Sequence, residues 1–142
     1  MNTVVNGLLF VHLFAAAMGV GGGIAMSQVG PRLVAAPAEQ RDIWWPLATA
    51  LTRISLIGLM LLLVSGPLIL WLKFNGPAGL GGWFWAKMVL VAAGVVAIGV
   101  MEGAKARFRR GDEGAGRVLH AAGPLIGAIM GGVILCAVFA FN

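Results

Sequence analysis

Charge is scarce in this chain. Of its 142 residues only 11% are Asp, Glu, Lys or Arg, whereas 60% are hydrophobic, and the mean hydropathy is +0.95. A soluble domain of this length cannot enclose that much apolar surface in one core, so the composition excludes the soluble globular class. Cysteine is nearly absent as well. Cys136 stands alone, which excludes an intrachain disulfide and any CxxC metal or redox motif, and in an apolar helix it reads as a small packing residue. The sequence also lacks a glycine-rich phosphate loop, a nucleophile triad and paired carboxylates, which removes the chemistries those motifs serve.

What the chain has instead is long apolar runs. Four of them, at about Val4–Gln28, Leu47–Leu72, Trp83–Met101 and Val118–Phe141, each approach the ~20 residues that a membrane-spanning helix needs. The expected fold is therefore all-α: an integral membrane four-helix bundle forming a single domain over residues 1–142. The first run lacks a basic start, exceeds a usual signal core and passes into Gly30-Pro31-Arg32 without a convincing cleavage site, so it is expected to remain in the mature protein.

The net charge of +5 follows the connections between these runs. Arg32, Arg41 and Arg53 flank the first, and Lys105, Arg107, Arg109, Arg110 and Arg117 crowd the third. The second, around Phe74-Asn75-Gly76-Pro77, has only Lys73 beside it, and both termini lack basic side chains. Basic loops stay in the cytoplasm, so the N-terminus, second loop and C-terminus are expected outside, in a multi-pass protein of a bacterial cytoplasmic membrane. The bilayer accounts for the positive charge, and no nucleic-acid partner is needed. The third loop also has the charge to hold anionic lipid headgroups.

Small residues mark packing faces. Ala15, Gly19, Gly23 and Ser27 recur every four residues in the first span, as do Gly123, Gly127 and Gly131 in the last. Such stripes let helix backbones approach in lipid. Gly19 and Gly23 have a second reading, as a flat slot beside His12 for a planar cofactor. Gly66-Pro67 is expected to kink the second span, and Trp44, Trp45, Trp71, Trp83 and Trp85 fall near span ends, where an aromatic belt belongs.

His12 and Lys87 are stranded inside apolar runs. A charge at the centre of a lipid-facing helix costs roughly 2.5 kcal/mol or more, which makes such a residue a candidate functional group. At 1.5 Å per residue His12 lies roughly 12 Å, and Lys87 about 6 Å, below the outer face. They are expected to share the outer half of the bundle. His120 lies only about 3 Å inside the opposite boundary, too far from His12 for both imidazoles to bind one metal through bonds near 2 Å. His120 instead falls level with Arg53, a second and weaker cluster. Each residue has a structural alternative: a neutral His12 bonded to a helix carbonyl, a Lys87 that snorkels, an interfacial Arg53 and His120, and a Glu102 paired with an arginine.

These residues carry a family resemblance over nearly the whole chain. His12 in the first span, Pro31-Arg32-Leu33 after it, Gly66 in the second, Trp83-Phe84-Trp85-Ala86-Lys87-Met88 opening the third and Arg117 before the last resemble the HemJ-type protoporphyrinogen oxidases, and more loosely the CopD-like four-helix membrane proteins. The resemblance implies haem b, with His12 as the metal ligand and Lys87 as the catalytic, carboxylate-holding cation; a lysine suits that role as a compact charge with three donors. It implies an oxidoreductase that passes electrons to a quinone or another carrier, with protoporphyrinogen IX, a tetrapyrrole, as the specific substrate. Where the family opens its last helix with an asparagine–glutamate pair, this chain has His120-Ala121. The alternative class is non-catalytic: an accessory subunit of a larger membrane complex, or a CopD-like metal or solute permease. A homodimer is expected from the small size of the bundle.

Overall fold

The computed structural model describes residues 2–76, 78 and 81–140. It is all-helical, with no strand among the described residues. The helices are α1 (Asn2–Ala35), α2 (Arg41–Phe74), α3 (Gly82–Arg109) and α4 (Ala115–Ala140), with one 3₁₀ turn at Ala38–Gln40 between the first two. All four are long and apolar enough to cross a membrane. Phe141, the expected end of the last span, and Pro77 of the second connection lie outside the described residues.

All four helices overrun their expected limits, α4 only at its start, Ala115 in place of Val118. α1 continues through Pro31 because Leu33, five residues beyond the expected end, is fully buried and holds the extra turn against the bundle. It stops before Pro37, whose carbonyl accepts the Gln40 and Arg41 N–H groups of the 3₁₀ turn. α2 runs unbroken past Pro46 and Pro67 to Phe74. Asn75 then turns left-handed at φ 54°, followed by Gly76 at φ 102°, whose N–H reaches back to the Leu70 carbonyl at 3.2 Å. This left-handed ending with a back-bonded N–H is a common helix stop. At 34 residues, α1 and α2 are about 51 Å long, so they extend well past a ~30 Å hydrocarbon core.

Glycines set which helices touch. A Cβ on Gly58 would stand 2.8 Å from the Ala15 carbonyl oxygen and 3.0 Å from Met18 Cβ, and one on Gly22 would collide with Ser55. These contacts pair α1 with α2, antiparallel. On the neighbouring face of α1, a Cβ on Gly23 would meet Gly127 at 3.3 Å and one on Gly30 would meet the Leu119 carbonyl oxygen at 3.0 Å. From α4, one on Gly123 would lie 2.6 Å from the Ser27 backbone. The small-residue stripes of α1 and α4 thus face each other, although Gly131 is exposed and has nothing near it. α4 packs in turn on α3, with Gly94 against Ile129, Gly132 against Leu90 and the Trp83 and Phe139 rings stacked at 5.2 Å. The order is therefore α2–α1–α4–α3, and α2 and α3 share no extended backbone seam among the described residues.

Packing is inverted relative to a soluble bundle. Small and medium side chains such as Ala15, Ala48, Ala104 and Ala122 form the core with Leu33, Leu119 and Met130, while large apolar side chains including Ile43, Phe10, Val89 and Trp71 point outward. Lipid has no reason to expel them, so close backbone approach decides the seams. The two basic connections meet at one end: Arg41 pairs with Glu113 at 3.2 Å and lies 4.6 Å over the Phe108 ring, and Arg109 lies over Trp45. Every acidic residue of the chain, Glu39, Asp42, Glu102, Asp112 and Glu113, belongs to this half as well.

Candidate functional site

His12 sits on α1 where α2 presents Ser65 and Gly66. Its Nδ1 is 2.8 Å from Ser65 Oγ, and the Ser65 hydroxyl donates to the Leu61 carbonyl at 2.6 Å. A serine has one proton. With that proton committed to its own helix, Ser65 can only accept, so His12 donates from Nδ1–H and keeps its lone pair on Nε2. Nε2 makes no hydrogen bond among the described residues, and because no fully buried side-chain nitrogen or oxygen there lacks a partner, Nε2 is not completely enclosed. Gly66 leaves the ring room: a Cβ there would only touch His12 Cε1, at 3.5 Å.

Lys87, in the second turn of α3, is half-buried and within electrostatic range of the His12 ring. The seam contacts bring it to this level. Gly132–Leu90 and Trp83–Phe139 place Lys87 beside the C-terminal part of α4, and Met130–Gly19 places that part of α4 beside the first half of α1. His12 and Lys87 therefore share the end opposite the charged connections.

The other sequence candidates separate. Gly19 and Gly23 offer no open slot: Met130 Cε occupies the position 2.7 Å from a Gly19 Cβ, and the Gly127 backbone fills the space beside Gly23. α4 stands where a planar cofactor would, and packing is what these two glycines do. Arg53 is exposed on α2 and lines a cavity towards α3, whereas His120 is exposed on α4 and is not part of that lining. No hydrogen bond joins them among the described residues. No set of three or more His, Cys, Asp or Glu side chains capable of holding a metal ion occurs there either, so His12 is a single-histidine position. Cys136 is buried in α4 and free.

A second polar cluster lies in the charged half. Lys105, read from the sequence as a loop charge, is inside α3 and buried. Its Nζ donates to Thr52 Oγ1 on α2 at 2.8 Å and pairs with Glu102 at 2.6 Å, while Thr52 donates to the Ala48 carbonyl at 2.9 Å. Glu102 thus pairs with a lysine, not with an arginine. The signal was present in the sequence: Met101, Ala104, Lys105 and Phe108 are spaced i, i+3, i+4, i+7 on one face, and all four are buried. Ser65, the partner of His12, carried no comparable signal, because a serine in an apolar run ordinarily bonds its own helix.

No protein-family model, curated protein or solved structure matches the chain.

Proposed function

We propose that the protein is a haem b-binding redox protein of the bacterial cytoplasmic membrane, with its termini outside, and that His12 would hold the iron through Nε2. The observation that carries this reading is the Ser65 hydroxyl. It accepts from His12 Nδ1–H after spending its own proton on Leu61, and a metal-binding histidine usually has its other ring nitrogen held in this way, which fixes tautomer and ring orientation. The residues present fit the group, because an imidazole whose Nε2 makes no hydrogen bond among the described residues lies within electrostatic range of a half-buried cation suited to a carboxylate side arm.

In this reading Ser65 orients the imidazole, and Gly66 keeps its face clear. Lys87 binds and positions an anionic group, either a propionate of the cofactor or the carboxylate of a tetrapyrrole substrate. The iron, when bound, would supply one-electron redox chemistry, with a quinone as a suitable acceptor and protoporphyrinogen IX as the specific substrate suggested by the family resemblance. The permease alternative has less support, since an ion path needs a series of lining polar groups and this end offers His12, Ser65 and Lys87.

Purification in mild detergent followed by haem supplementation and an absorption spectrum tests the assignment. A Soret band lost in His12→Ala and retained in His120→Ala is expected. Absence of a band in the parent protein overturns the haem reading, and a band unchanged in His12→Ala overturns the ligand.

A further inference from the structure

Arg53 is the least explained charge in the fold. It lies inside the second apolar helix, flanked by Leu51, Ile54 and Leu56, and makes no ion pair, hydrogen bond or ring contact among the described residues. An uncompensated guanidinium in such a segment needs a counter-anion or a route to water. Both are offered by a cavity of about 730 Å³ between the charged ends of α2 and α3, where no backbone seam closes the gap.

The walls of this cavity are cationic and aromatic. Arg41, Trp45, Thr49 and Arg53 line it from α2 at a constant spacing of four, and Phe108 and Arg109 face them from α3. Side chains on a helix lean toward its N-terminus. Because α2 begins at the charged end, Arg53 leans back toward the mouth, where Arg41 and Arg109 stand. Arg41 is already paired with Glu113, and Asp42 is the one acid in the lining. Arg53 has no partner among the described residues and Arg109 lies only against the Trp45 ring, so two guanidinium groups without an acid border one space, and guanidinium is the group that best matches phosphate oxygens.

We propose that this cavity seats the phosphate of an anionic phospholipid, with Arg53 and Arg109 as its principal contacts and Trp45 beside the headgroup. The inference is independent of the haem reading, which concerns the opposite end of the bundle. A lipid is favoured over a soluble phosphate compound because Arg53 belongs to a helix long and apolar enough to cross the membrane, which brings leaflet headgroups within reach of the cavity that it lines.

The test is native mass spectrometry of the full chain from micelles doped with phosphatidylglycerol or phosphatidylcholine. Preferential retention of phosphatidylglycerol is expected, reduced about fivefold for each of Arg53→Gln and Arg109→Gln, restored in part by Arg53→Lys, and unchanged by Lys73→Gln at the other end. Far-ultraviolet circular dichroism confirms that each variant is folded, and Arg109→Gln, in the last turn of α3, carries the test if Arg53→Gln is not. Equal retention of the two lipids, or full retention by the folded variants, overturns the site. Complete displacement of phosphatidylglycerol by inorganic phosphate at tens of millimolar overturns the lipid assignment in favour of a free phosphate compound.

Discussion

The three glycines of the α4 stripe are equivalent in sequence and differ in the fold, so alanine at each position separates packing from pattern. A Cβ on Gly123 would lie 2.6 Å from both the nitrogen and the Cα of Ser27, and 2.9 Å from the Met26 carbonyl carbon. Carbon atoms rest at about 3.5–4.0 Å. The obstacle is the α1 backbone, not a flexible side-chain end, so relief requires the helices to part by about 1 Å. That loosens the neighbouring contacts of Gly23 with Gly127 and of Gly30 with Leu119 along the same seam. Overpacking of this kind costs about 1–3 kcal/mol. Gly127 and Gly131 have nothing within 4 Å of an added Cβ, and alanine there is expected to be neutral or to gain up to about 0.5–1 kcal/mol from helix propensity. Unfolding in mixed micelles of dodecyl maltoside and increasing dodecyl sulfate, followed by tryptophan fluorescence, measures all three. A Gly123→Ala protein as stable as the parent, or a Gly131→Ala protein as damaged as Gly123→Ala, would refute the α1–α4 seam.

Three further outcomes follow from the polar contacts. Glu102→Ala leaves the buried Lys105 cation with Thr52 alone and is expected to cost about 1–3 kcal/mol, whereas Lys105→Met removes the buried charge itself and is expected to be nearly neutral or stabilising; the same micellar titration checks the order, and a reversed order sinks the argument. Ser65→Ala removes the partner of His12 and is expected to lower stability by about 0.6 kcal/mol and haem affinity by about 10–100-fold; haem titration that gives an unchanged affinity would show that Ser65 does not orient the ligand. Gly66→Ala adds an ordinary contact to the His12 ring and should leave the haem spectrum of the parent intact, while Gly66→Leu should displace the ring and shift or abolish the Soret band.

Much of the fold is legible in the sequence, because hydrocarbon imposes a length and a composition on anything that crosses it. Four apolar runs of the required length yield four helices, and the crowding of arginine into the first and third connections anticipates the end where Arg41 meets Glu113. Helix ends are less legible. The first apolar run is read as ending at Gln28, yet α1 continues through Pro31 to Ala35, with Leu33 of the extension fully buried. Lys105 was misplaced for a related reason: a charge just past an apolar run looks like a loop residue until the buried phase of Met101, Ala104 and Phe108 is counted.

The sequence by itself determined that this is a membrane protein of four helices with one charged end, since those properties depend on composition and spacing alone. It also singled out His12 and Lys87, because a polar group in an apolar run is visible without knowing its neighbours. Only the tertiary structure decided the order α2–α1–α4–α3 and the use of Gly19 and Gly23 for packing on α4. It alone supplied Ser65 as the partner of His12 and the cavity before Arg53. These depend on which backbones approach across the bundle, and that choice rests on the fit of facing surfaces, which no single helix contains.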